Sequence, residues 1–203
     1  KKYGFGNLSD MKKIYEDFGE MIFTHFGVSG PTILSASAHM RPMEKDRYEV
    51  QIDLKPALDE EKLDKRIISD FDKYKNKEFA NALCDLLPSS MIAPVVARTG
   101  IPANKKVNSI TQKERRELVC VLKKFTVKIS GTRPINEAIV TSGGVAVSEI
   151  SPNTMQAKKL ENLYFAGEVI DVDAYTGGFN LQIAFSTAMK AAEAAVNKLY
   201  EEV

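Results

Sequence analysis

The chain has 203 residues, room for one good-sized domain or two small ones. A hydrophobic fraction of 44% beside 27% charged residues excludes a disordered or fibrous chain. Lys and Arg total 28 against 27 Asp and Glu, which leaves no net field to hold nucleic acid or an anionic membrane, so any partner must be recognised by a site. Cys84 and Cys120 each stand alone inside an apolar run, which excludes a disulfide framework or a zinc site; both are expected to be reduced and buried, and no metal is expected. No apolar run approaches the roughly 18 residues of a membrane span, and the Lys1-Lys2 start lacks the apolar stretch of a signal peptide. A cytoplasmic location is the expectation, and a first residue other than Met points to a piece of a longer chain or to a processed one.

In chain order, residues 13–18 and 21–26 are rich in Ile, Tyr and Phe and separated by Gly19, the pattern of a hairpin. Gly27, Gly30 and Pro31 break the chain, and Pro31 opens a short helix over residues 32–38. Residues 47–54 alternate, with Tyr48, Val50, Ile52 and Leu54 on one face of a half-buried strand. Residues 59–74 carry Leu63, Ile67, Phe71 and Tyr74 as one stripe of an amphipathic helix, whose Lys and Asp residues, from Lys62 to Lys77, form its solvated face. A second helix is expected over 77–87, stopped by Pro88, and a short one over 89–98, interrupted near Pro94. Thr111 with Glu114 forms a capping box ahead of Leu118, Val119, Val121 and Leu122. Strands follow at 125–129, 137–141 and 163–166, then a long Ala-rich helix over 178–200. The last strand, loop and helix make half of a nucleotide-binding βαβ unit.

Residues 163–180 carry the strongest chemical signal. A strand ending at Gly167 turns sharply, and Gly177-Gly178 at a helix start bares main-chain amides to a ligand. The positive end of such a helix favours a phosphate or the N1/O2 edge of a flavin, while Glu168 and Asp171 are placed to accept hydrogen bonds from sugar or ribityl hydroxyls. The plain alternative is an ordinary strand-to-helix turn. A second glycine pair, in Thr141-Ser-Gly143-Gly144-Val145, also offers bare backbone to a planar ligand; taken alone it reads as a hairpin turn. Of the two histidines, His25 is expected to orient the turn at residues 27–31 by a hydrogen bond rather than to move protons, and His39 is given no role. Ser29 lacks the Gly-x-Ser-x-Gly elbow and an evident base, which argues against nucleophilic hydrolysis.

The runs Glu137-Ala-Ile-Val-Thr-Ser-Gly-Gly-Val145, Pro152-Asn-Thr-Met155, Gly167-Glu-Val-Ile-Asp-Val-Asp173 and Thr176-Gly-Gly-Phe-Asn-Leu-Gln182 resemble the C-terminal signature of the aminoacetone oxidase-like family of FAD-dependent flavoproteins. Gly19-Glu-Met-Ile-Phe-Thr-His-Phe-Gly-Val-Ser-Gly-Pro31 is similar to the hallmark of that family's inserted domain. The resemblance implies a protein about twice this length, whose G-x-G-x-x-G fingerprint is missing here. The nearest match, Gly4-Phe-Gly6-Asn-Leu-Ser9, lacks the third glycine and a preceding strand, and residues 1–10 match the family poorly.

The fold so implied is α+β to α/β: a β-rich inserted domain (1–54, returning at 124–136), a helical subdomain (55–123), and at 137–203 the closing strand, loop and helix of a Rossmann-like FAD-binding domain. The family pattern puts the flavin ring near Thr141, Gly143, Gly144 and Val145, the ribityl chain at Asp171, and the ring's pyrimidine edge at Gly177, Gly178, Phe179 and Asn180; Gly167 and Glu168 support them. Ala188 stands where the family often has glycine, which implies a slightly wider contact of the last helix. The expected function is part of an FAD-dependent oxidoreductase transferring a hydride between a small organic substrate and flavin, with no catalytic residue assigned. Neither nucleic acid nor membrane is an expected partner; the missing N-terminal FAD half is. The alternative is a non-enzymatic partner-binding module with vestigial glycine loops.

Overall fold

The computed structural model describes residues 2–7 and 12–201, with side chains from Lys12 to Tyr200. Strands β1 (Lys2–Asn7) and β2 (Lys12–Phe18) pair antiparallel. The Gly19 pattern predicts that β2 folds back onto the run after it; that run instead forms β3 (Ile22–Thr24), which pairs with β4 (Gly27–Ser29). The turn between β3 and β4 is closed by Thr24, whose hydroxyl accepts the Gly27 N–H at 3.1 Å, and not by His25, which is exposed and meets Phe26 edge-on. Helix α1 (Pro31–Ser37) opens at Pro31, where a missing N–H costs nothing. Strand β5 (Tyr48–Asp53) buries Tyr48, Val50 and Ile52, as the alternation predicts.

Helix α2 (Glu60–Lys73) starts at Asp59, whose carboxylate accepts the Lys62 N–H at 2.8 Å. Helix α3 covers Phe79–Ala82 only, shorter than the predicted 77–87. Past Ala82 the ladder tightens, with Leu83 and Leu86 donating to the carbonyls of Ala80 and Leu83, while the first amides, of Phe79 and Ala80, donate to the carbonyls of Lys105 and Ala103. Helix α4 (Ser89–Thr99) runs through Pro94 without interruption and ends at Gly100, in the left-handed conformation at φ 68°. Helix α5 (Gln112–Lys123) has both halves of the Thr111–Glu114 capping box. Strand β6 (Phe125–Ile129) and helix α6 (Phe179–Glu201) complete the regular elements.

Contacts divide the chain into two units, Lys1–Met21 with Met43–Gly131, and Ile22–Pro42 with Thr132–Val203. The first unit holds an antiparallel sheet in the order β2-β1-β5-β6 and helices α2 to α5. Val50, Ile52, Leu63, Ile67, Leu118 and Leu122 are fully buried there. Arg115 grips Asp64 with two nitrogens, tying α5 to α2, and the Lys123 ammonium sits 2.6 Å from the Asp53 carboxylate and 2.7 Å from the Leu58 carbonyl. Cys84 and Cys120 are both exposed, against the expectation of burial. Cys120 turns outward between the buried pairs Leu118-Val119 and Val121-Leu122, because a helical apolar run points one member in four away from the core.

The second unit contains the β3–β4 hairpin, α1 packed on β4, and α6. The strands predicted at 137–141 and 163–166 do not form. Residues 135–137 make a single 3-10 turn and Ile139 is exposed, while residues 163–166 hold one isolated bridge, Gln156 to Tyr164. An apolar run becomes a strand only beside a partner; here 163–166 meets a single residue, and among the described residues 137–141 has no bridge. The α+β class therefore stands, with the long helix present and the strand ahead of it absent among the described residues.

Candidate functional site

Two of the predicted glycine segments meet. Gly143 donates its N–H to Asp171 Oδ1 at 3.1 Å, Val145 N–H reaches the Val169 carbonyl at 2.8 Å, and Asp171 N–H returns to the Val145 carbonyl at 2.9 Å. The last two bonds make a parallel bridge between Val145 and Ile170. Gly144, at φ 139°, sits so close that a Cβ there would stand 2.4 Å from the Val169 carbonyl oxygen, so only glycine permits the junction. Gly143 is different: at φ 107° nothing lies within 4 Å of its Cβ position, which leaves bare main chain facing open space. Thr141 is exposed just before it.

The third glycine feature is tied to α6. Gly167, at φ 74°, donates its N–H to the Thr187 hydroxyl at 3.0 Å, and its Cβ position is 3.9 Å from Ala184. That contact is made by Ala184 and Thr187; Ala188, expected to set its width, lies on the exposed side of the helix. Glu168 is exposed in the turn. Gly177 and Gly178 both have positive φ at the mouth of α6, with open space at Gly178 and the exposed Phe179 ring against Gly177. The Asn180 amide accepts the Ala174 N–H at 2.8 Å and donates to the Ala174 carbonyl at 2.9 Å, so it closes the 174–180 loop on itself. Among the described residues no hydrogen bond joins 141–145 to 177–180.

A cluster the sequence reading missed lies beside this loop. His39 Nε2 is 2.6 Å from the Tyr175 hydroxyl, and Arg41 pairs with Asp173 at 3.1 Å; with Ala38 and Ala174 they line an open cleft. The partners are separated by 136 and 132 residues, so no local spacing signals them. Together they fasten the chain just past α1 to the loop ahead of α6. The displaced ionisations lie in the first unit: Lys73 and Tyr74 hold Asp85 down to about 2, and Lys105 and Thr111 do the same to Glu114. Among the described residues no group of three His, Cys, Asp or Glu stands ready for a metal ion, and no helix is long and apolar enough to cross a membrane.

An antiparallel sheet with four helices in one unit, and glycine-built junctions beside a long helix in the other, define a chain of mixed α+β architecture. Residues 5–140 match the HI0933-like protein barrel and H2TH domain, and the chain belongs to that family. Curated relatives include the ribosomal RNA dihydrouridine synthases of Escherichia coli (strain K12), 33% identical over 85% of this chain, and of Haemophilus influenzae, 31% identical over 86%. A 3-dehydro-bile acid delta(4,6)-reductase of Clostridium scindens is 28% identical over 90% of this chain. These alignments cover 41%, 42% and 45% of the relatives, so the chain spans less than half their length.

Proposed function

We propose that this chain is the C-terminal part of an FAD-dependent oxidoreductase of the aminoacetone oxidase-like type, acting on a small organic substrate. The observation that carries the reading is the junction of Gly143–Val145 with Val169–Asp171, with open glycine backbone at Gly143. Bare main chain of this kind fits the flat ring of a flavin, because no Cβ holds the ring away. The chemistry that FAD supplies when bound is hydride transfer.

In this reading Thr141, Gly143, Gly144 and Val145 lie along the ring, and Gly167 and Glu168 support the turn behind them. One oxygen of Asp171 fixes the Gly143 amide, and the other is assigned to a ribityl hydroxyl. Gly177, Gly178, Phe179 and Asn180 open a helix whose positive end favours negative charge at the ring's pyrimidine edge. The pyrophosphate and adenosine parts of FAD are assigned to polypeptide outside this sequence, so the chain alone is expected to bind FAD weakly or not at all.

The relatives' names favour one substrate class. A dihydrouridine is a uridine with its ring double bond reduced, and a 3-dehydro delta(4,6) steroid carries double bonds conjugated to a ketone. Both are carbon–carbon double bonds activated by a carbonyl, and reduction of such a bond is the reaction we assign.

Purification of the full-length protein tests the reading. A bound yellow chromophore, or a spectral shift on adding FAD, is expected, and Asp171→Ala should weaken FAD binding about tenfold or more, the loss of a charge-assisted hydrogen bond. A colourless protein with no shift would replace the reading with that of a partner-binding module.

A further inference from the structure

The cleft ahead of α6 is lined by Ala38, His39, Arg41, Asp173, Ala174 and Tyr175, all of the second unit, and has a volume of about 410 Å³. Small organic ligands occupy sites of roughly 300–1,000 Å³. Two polar pairs stand side by side in it, His39 with Tyr175 at 2.6 Å and Arg41 with Asp173 at 3.1 Å. Met40, between His39 and Arg41, is buried, so its two neighbours are the ones that face the opening. The Asn180 amide holds both the N–H and the carbonyl of Ala174, which fixes the residue before Tyr175 to the first turn of α6.

The donor set decides what such a cleft takes. Arg41 and Asp173 neutralise each other, so the guanidinium is not left over for a phosphate or a carboxylate. The phenol and the imidazole can both donate, and a carbonyl oxygen only accepts. In the tautomer with its proton on Nε2, His39 donates to the Tyr175 oxygen, and Tyr175 has its own proton to donate. Fastening alone explains this pair poorly. Both rings are exposed, where a hydrogen bond competes with water and adds little stability, and Arg41 with Asp173 already joins the same two segments.

We propose that Tyr175 donates first a hydrogen bond and then a proton to the carbonyl oxygen of the substrate, and that His39 restores that proton. The proposal rests on the flavin reading and substrate class above: Tyr175 stands two residues before Gly177, in the loop assigned to the ring's pyrimidine edge. FAD, when bound and reduced, supplies the hydride that reaches the β-carbon of the double bond. The π pair of that bond moves between the α-carbon and the carbonyl carbon. The carbonyl π pair moves onto oxygen, which takes the Tyr175 proton. The enol so formed becomes the saturated carbonyl compound in water. The exposed His39 ring passes a proton to the phenolate and takes one from solvent. One hydride and one proton account for the two hydrogens gained.

The test uses the full-length protein with 2-cyclohexenone as the probe. Binding is followed at the His39 imidazole by nuclear magnetic resonance, its signal assigned by loss in His39→Gln, and this readout needs no flavin. Tyr175→Phe should weaken binding about fivefold, the loss of one hydrogen bond. In the flavin-loaded protein, anaerobic reoxidation of reduced FAD by the enone should slow about 100-fold or more in Tyr175→Phe. His39→Gly should lose most of that rate and regain it with added imidazole, a rescue that a mere tether would not show. An enone that does not bind, that binds Tyr175→Phe equally well, or that binds the flavin-loaded protein without being reduced would overturn the proposal. Tighter binding of cyclohexanecarboxylate than of the enone would overturn it too. A colourless protein whose enone binding needs Tyr175 would sink the flavin reading and keep the carbonyl site; a yellow one whose enone binding ignores Tyr175 would sink this proposal alone.

Discussion

Gly143 and Gly144 are neighbours of the same type, yet their surroundings demand different costs of substitution. At Gly144 a methyl group would collide with the Val169 carbonyl at 2.4 Å in a backbone conformation already unfavourable for L residues, whereas at Gly143 only the conformation opposes it. Gly144→Ala should therefore lower stability by about 3 kcal/mol or more and Gly143→Ala by about 1–2 kcal/mol, read from urea unfolding followed by a probe in the second unit. These glycines were legible in the sequence because a positive φ leaves its mark in residue type. The bonds that use them were less so: nothing local pairs Gly167 with Thr187, or His39 with Tyr175, since the partners come from distant turns of the chain. A second residue-scale expectation concerns Glu114. The Lys105 ammonium at 2.6 Å, then the Thr111 N–H and hydroxyl, hold it at about 2, below the ordinary 4.5. A carboxylate whose folded value is depressed contributes stability above its unfolded value and loses it as pH falls through the folded one. The first unit should thus weaken as pH drops from 4.5 to about 2, and Glu114→Gln should flatten that slope in urea midpoints measured across the window.

Elements that carry their own hydrophobic period were read correctly, and those that depend on a distant partner were not. In α2 the stripe Leu63, Ile67 and Phe71 is buried as the spacing requires, and β5 buries every second residue. By contrast β1, where two glycines follow Tyr3 and Phe5 in a six-residue run, gives little strand signal, yet it lies between β2 and β5 and takes the pairing that Gly19 locally assigns to β3. Helix α3 stops early because its ladder tightens after Ala82, where Leu83 and Leu86 each bond the carbonyl three residues back, which an apolar period does not announce. If α2 is held by its stripe rather than by intrinsic propensity, Ile67→Ala should cost about 2–5 kcal/mol in urea unfolding, the range for a fully buried aliphatic side chain. The exposed Ile68 beside it, changed to Ala, should move the midpoint by no more than about 0.5 kcal/mol. Equal effects would mean that α2 does not pack on that face.

At the scale of the whole chain, charge separates two substrate classes that the relatives' names leave side by side. Ribosomal RNA presents a dense row of phosphates, and a protein that grips it by the backbone releases counterions in proportion to the phosphates neutralised. This chain has 28 basic against 27 acidic residues, and many bases are already answered by acids of the same chain, as with Arg115 and Asp64 or Lys73 and Asp85. An ammonium held at 2.6 Å from a carboxylate offers little to a phosphate. The 203-residue chain should therefore bind a hairpin RNA no more tightly than about 100 µM at physiological salt, with little change between low and moderate salt, in fluorescence anisotropy. Low-micromolar binding that falls steeply with salt would reveal a surface where bases outrun acids despite the balanced total. That result would move the assigned substrate from a small carbonyl compound to a base within RNA, while leaving the glycine junction and its proposed flavin untouched, since neither depends on what the reduced double bond belongs to.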